Sequence, residues 1–234
     1  MIPYIVINGR SSKTVNGLLV QSLPPITKPE IRTETEEIDG RDGDVITVLG
    51  YAAYDKTLSV ALRGDFNIDD VISFFNTNGQ IIFSNEPDKY YNFAIYEAID
   101  FNKLVRYRTA NVEIHVQPFK YSADERPINK TFTGVTKDLE LRNNGNIYSK
   151  PKITITGNGN INIDLNTKRV LTAEIADKII IDVASMNATD KNGDYMNRYV
   201  TGNYNDLQLK TGLNYINMTG DITSITVENY SRWI

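Results

Sequence analysis

Between residues 33 and 64, apolar and polar side chains alternate along two runs separated by a turn, and this pattern is the most informative in the chain. An acidic lead-in (Glu34, Glu36, Glu37) meets the turn Ile38-Asp39-Gly40-Arg41-Asp42-Gly43-Asp44; Val45, Thr47 and Leu49 then lead on toward Leu58, Val60 and Leu62. Two Asp/Gly pairs this close ask for backbone at positive φ, which glycine adopts without steric cost, so a long β-ribbon is predicted. Its first arm, residues 29–38, has aliphatic side chains only at Ile31 and Ile38. That is too little to bury a face within its own domain, and an isolated two-stranded ribbon is marginal in water. The arm is therefore expected to rest on another copy of the chain. The interface candidates are Gly40, Arg41, Asp42 and Gly43 at the tip, with Val45, Val48, Tyr51 and Tyr54 along the ribbon. Arg41 is placed to form a bidentate pair with a carboxylate of a neighbour.

The remaining patterns divide the chain. Residues 68–76 read as a helix: Asn67 caps it, Asp69 and Asp70 suit its positive end, Asn78-Gly79 supplies a stop, and Val71, Ile72, Phe74 and Phe75 form a buried stripe. Residues 80–83, 90–99 and 104–117 read as strands, giving an α+β domain with one helix laid across a sheet. Beyond residue 134 no helix signal recurs. Short strands at 153–155, 161–165, 169–171, 179–183, 207–209, 215–218 and 222–227 alternate with Gly, Asn and Asp turns, which suggests a β-sandwich or jelly roll. The segment Gly157-Asn158-Gly159-Asn160 reads as a tight hairpin turn.

Composition supports the break. All eight phenylalanines precede residue 134, whereas 15 of the 25 asparagines lie in the last 100 residues. Two domains are expected, 1–134 and 135–234, in a mainly β protein. The net charge of −4, with no lysine or arginine run, argues against a phosphate-neutralising nucleic-acid binder. The absence of cysteine excludes disulfides and thiolate metal sites. The opening residues lack a secretory leader pattern, and no apolar run is long enough to span a bilayer.

The opening IPYIVINGRSS, the segment from Gly17 to Ile26 with its Leu-Pro-Pro-Ile close, the Gly40-Arg41-Asp42-Gly43 turn, the helix, and the run from Lys210 to Gly220 together resemble the distal tail (Dit) proteins of siphophages infecting Gram-positive bacteria. The resemblance covers nearly the whole chain. It implies a non-enzymatic structural protein of the virion, made in the bacterial host cytoplasm. It also implies a homo-hexameric ring connecting the tail tube to the baseplate or tail tip, with N-terminal domains in the ring and galectin-like C-terminal sandwiches outside. The implied partners are the tail tube protein, the tape-measure protein and tail-associated hub or receptor-binding proteins. DNA would pass through the channel without specific binding.

Other chemistry is sparse. The sole histidine, His115, sits in a strand pattern beside Glu113 and Gln117 and reads as a solvent-side residue without the orienting partner that acid–base work needs. Asp190-Asn192-Asp194 has calcium-loop spacing, but Tyr195 stands where glycine is required and Thr201 where a bidentate Glu is required. No catalytic, cofactor or metal residue is nominated. The alternative function is a carbohydrate-binding module for host cell-wall polymer, with Tyr195, Tyr199, Tyr204 and Trp233 as the stacking platform.

Overall fold

The computed structural model describes residues 2–234, and 53% of the chain lies in strands, so the protein is mainly β as expected. It divides into two compact units, one running through Asp124 and a second spanning Glu125–Trp233. Each has its own apolar core.

The first unit contains strands β1 (Ile5–Ile7), β2 (Arg10–Ser11), β3 (Leu18–Ser22), β4 (Ile31–Glu37), β5 (Asp44–Tyr51) and β6 (Tyr54–Leu62), then helix α1 (Ile68–Phe75). Strands β7 (Gly79–Phe83) and β8 (Lys89–Ala94), helix α2 (Phe101–Tyr107) and strand β9 (Thr109–Ser122) complete it. Among the described residues, seven strands form one sheet in the order β2-β1-β7-β8-β9-β6-β3, while β4 and β5 pair only with each other. The predicted ribbon is therefore shorter than the sequence suggests. It ends at Tyr51, and β6 turns into the main sheet because Leu58, Val60 and Leu62 alternate onto a face buried against the core.

Helix α1 forms where expected. The Asn67 side chain accepts the Asp69 N–H at 3.0 Å, and Val71, Phe74 and Phe75 are buried. Its stop differs from the prediction: the helix ends at Phe75, with the Asn76 N–H bonded to Ile72 O, and Gly79 opens β7 instead. Glycine is needed there because a Cβ would lie 2.3 Å from Asn8 Oδ1, which accepts the Gln80 N–H.

A second helix, α2, replaces the beginning of the strand predicted over 104–117. Asp100 caps it through a 2.8 Å bond from Lys103 N–H, Leu104 anchors it in the core, and Arg108 ends it at φ 60°. A non-glycine residue in the left-handed region is an uncommon stop, so the sequence gives little notice of this boundary.

The second unit contains β10 (Ile128–Thr131), β11 (Lys137–Asn143), β12 (Lys152–Leu165), β13 (Lys168–Ile175), β14 (Lys178–Asp182), β15 (Asn187–Thr189), β16 (Val200–Gly202) and β17 (Gly212–Glu228). Two of these, β12 and β17, are long and bend together. The first half of β12 pairs with β14 and with the end of β17, which also holds β10. Its second half pairs with β13 and with the beginning of β17, which also holds β11. Strands that change faces through a bend let one hydrogen-bonded network wrap a single core, here of Ile153, Ile155, Ile161, Ile163, Ile216 and Ile225 among others. The Gly157–Asn160 segment is thus a corner within β12 and no hairpin turn. A Cβ on Gly157 would lie 2.2 Å from Asp221 O, and one on Gly220 2.6 Å from Asn160 O, so the paired glycines let two backbones cross closely.

Candidate functional site

The most exposed organised element of the first unit is the β4–β5 hairpin, which we call the arm. Gly40 and Gly43 turn its tip at φ 83° and 76°, and Arg41 N–H closes the turn onto Ile38 O at 3.1 Å. Cross-strand partners place Thr35 opposite Ile46 and Thr33 opposite Val48, so these four side chains share one face. Glu34 and Glu36 share the other face with Thr47 and Val45. Ile46, Val48 and Leu49 are 63%, 64% and 54% exposed, an unusual concentration of aliphatic surface on so short a hairpin.

Of the nominated interface residues, Gly40, Arg41, Asp42 and Gly43 lie at the exposed tip, Val48 is exposed, and Val45 and Tyr51 are half-buried. Tyr51 packs edge-on against Phe119, with ring centroids 5.1 Å apart. Tyr54 belongs to β6 in the main sheet and serves the root of the arm, not its shaft.

That root is held by side chains that composition and spacing did not single out. The segment between β3 and β4 contains Pro24 and Pro25, which lack the N–H a ladder needs. Three carbonyls of this segment are gripped instead: Pro24 O by Asn85 Nδ2 at 3.2 Å, Pro25 O by Lys56 Nζ at 2.8 Å, and Thr27 O by the Tyr54 hydroxyl at 3.3 Å. The Ala52 N–H then reaches Glu30 O at 2.9 Å and closes the base.

Lys56 is buried, with its ammonium 5.1 Å from the Tyr54 ring and 5.2 Å from the Tyr91 ring. Burial pulls its pKa down to about 8; Glu86 opposes that shift and Lys120 adds to it. Lys120 and Glu86 themselves form a buried ion pair at 2.8 Å. Burial likewise raises the Tyr91 hydroxyl well above the usual phenol range, with Tyr54 and Glu86 adding to the effect. The readable signal for this cluster was a lysine at an inward position of β6, in register with Leu58, Val60 and Leu62.

In the second unit, Tyr195 and Tyr199 line one groove of about 520 Å³ together with Glu174, Asp194 and Arg198. The Arg198 guanidinium lies 4.6 Å from the Tyr199 ring centre. Tyr204 and Trp233 do not line this groove; Tyr204 donates its hydroxyl to Asn197 Oδ1 at 2.9 Å. Asp190 uses its carboxylate to accept the Asn192 and Asp194 N–H groups at 2.8 and 2.9 Å, which makes that loop a polar turn. His115, expected to lack an orienting partner, has one across the β6–β9 ladder: its Nδ1 lies 2.7 Å from Asp55 Oδ1, and its ring sits 5.5 Å from that of Tyr96. No cluster of three or more metal-ligating side chains occurs among the described residues, nor is any helix among them long and apolar enough to cross a membrane.

Residues 7–117 match the family model of the phage tail protein RIFT-related domain. The whole chain is similar in fold to the crystal structure of SPP1 Dit (gp 19.1), described as a hub adsorption apparatus paradigm in phages infecting Gram-positive hosts: TM-score 0.64 at 17% identity, covering 100% of both chains. It is also similar to a chain of the phage P2 baseplate in its activated conformation with calcium, at TM-score 0.50 and 9% identity, covering 100% of this chain and 99% of that one. No curated protein matches the sequence. The resemblance read from the motifs is met by a domain-model match and by the fold.

Proposed function

We propose that the protein is a structural, non-enzymatic hub at the distal end of a phage tail, closing into a hexameric ring that joins the tail tube to the baseplate or tip. One observation carries this reading: the arm exposes Ile46, Val48 and Leu49 and pairs with no other strand among the described residues. An apolar hairpin in a stable protein calls for a partner surface, and a cyclic arrangement supplies one to every subunit. The first unit forms the ring and the second faces outward. The tail tube protein, the tape-measure protein and tail-associated hub or receptor-binding proteins occupy the ring faces. A net negative chain suits a channel that passes DNA without trapping it. Interfaces of obligate size, upward of about 2,000 Å², are expected.

Native mass spectrometry at micromolar concentration and physiological salt tests this reading. Six copies are expected, with a particle that shows an axial opening by electron microscopy. A strict monomer refutes the ring. Charge reversal at Arg41 is expected to weaken the assembly; intact hexamers in that variant remove Arg41 from the interface.

The Tyr195–Tyr199 groove supports a second reading, in which the outer unit grips cell-wall polysaccharide. Two tyrosine rings beside an Arg and carboxylates suit the apolar face and hydroxyls of a sugar. Binding on a glycan array that Tyr195→Ala abolishes would establish this role, and absence of binding by the wild-type protein would dismiss it.

A further inference from the structure

The first unit has a second surface that the ring reading leaves unassigned. Among the described residues, strand β3 is an outer strand of the seven-stranded sheet, pairing with β6 on one side only. Along it runs a groove of about 540 Å³ lined by Ile2, Val15, Leu18 and Leu19, with the cations Lys13 and Arg63 among its walls. Ile2 is 70% exposed and Leu19 37%, so these two apolar side chains are open to solvent, whereas Val15 and Leu18 are buried.

The arm carries complementary features. Residues 31–51 hold six carboxylates against two guanidinium groups. None of those carboxylates, and neither Lys13 nor Arg63, belongs to an ion pair among the described residues. On the face bearing Ile46 and Val48, the next cross-strand pair toward the tip is Glu37 with Asp44. An aliphatic patch with an acidic end thus answers an aliphatic groove with two cations.

We propose that the groove along β3 receives the arm of a second copy of the chain, with Ile46 and Val48 seated on its apolar lining and the acidic tip beside Lys13 and Arg63. The proposal rests on the ring reading and supplies its acceptor surface. Arm and groove are different patches of one subunit, so the contact is head-to-tail, and such contacts generate rings when the rotation closes. Beyond Leu18, whose N–H is bonded to Val15 O, the outer edge of β3 pairs with no strand among the described residues and can meet an incoming one. Opposite charges at the rim set register and speed encounter.

The absence of cysteine allows a direct test. Val48→Cys and Leu19→Cys, both at exposed positions, are co-expressed as single variants and treated with a short bismaleimide. Covalent dimers are expected from the mixture and none from either variant alone; the double variant is expected to give a ladder reaching six copies. Arg63→Glu is expected to raise the dissociation constant of the assembly about tenfold, with partial rescue when Asp44→Lys is added to the same chain. If the wild-type protein forms hexamers while the cysteine pair does not cross-link, the groove assignment falls and the ring stands. If the double variant yields only internally bridged monomers, the arm lies on its own groove and the proposal is overturned. A monomeric wild-type protein refutes ring and groove together.

Discussion

Lys56 follows the alternation of β6 inward, where Leu58, Val60 and Leu62 are core residues, yet its ammonium ends on a proline carbonyl. Because its folded pKa of about 8 lies below the 10.5 of the free side chain, the folded state is the weaker proton binder. The charged form therefore costs stability below pH 8, a cost that fades as pH rises from there toward 10.5. Urea unfolding of the first unit should accordingly show a midpoint that rises between about pH 8 and pH 10.5. In Lys56→Met that rise should be missing while the arm root loosens, measurable as faster hydrogen exchange at Ala52, whose N–H closes the base on Glu30 O. An unchanged pH profile in the variant would show that Lys56 is not the titrating group. Such a residue is half-legible in sequence. A lysine at an inward strand position is visible, but its partners Pro25, Glu86, Tyr91 and Lys120 come from segments far apart in the chain.

At the scale of elements, the arm and the β12 corner make opposite demands. The arm contributes little to its own chain's core, so replacing residues 32–50 by a short turn should leave the thermal midpoint of the first unit nearly unchanged while abolishing assembly in light scattering. A collapse of folding on that deletion would mean the arm is structural within the monomer. The corner tolerates nothing: Gly157→Ala forces a Cβ to within 2.2 Å of a backbone oxygen and should destabilise the second unit by about 2–3 kcal/mol, read from chemical denaturation. The sequence marked both places by their glycines, and it misread the second. Gly-Asn-Gly-Asn has the chemistry of a hairpin turn, and only the partner strand, bending at Gly220 against it, makes a continuous 14-residue strand the better solution. Helix α1 was legible because cap, acidic first turn and apolar stripe agree. Helix α2 was not, since it is seven residues long with one buried anchor, and the apolar pattern of β9 runs on from it.

For the whole molecule, two separate cores predict two cooperative transitions. A fragment beginning at Glu125 should unfold in a single two-state step and remain monomeric, because it keeps its own core and lacks both arm and groove. Loss of its structure, or spontaneous assembly, would contradict the division of labour proposed for the two units. The sequence by itself determined the β-rich class, the first helix, the tip of the arm and the resemblance to siphophage tail proteins, because alternation, capping and Asp-Gly turns are local and act over a few residues. Tertiary structure alone decided where the ribbon stops, which carbonyls hold its root, how β12 and β17 bend together, and that Tyr195 and Tyr199 share a groove without Tyr204 or Trp233. Those outcomes depend on close approach between residues distant in the chain, and no local pattern encodes which backbone will arrive within bonding distance of another.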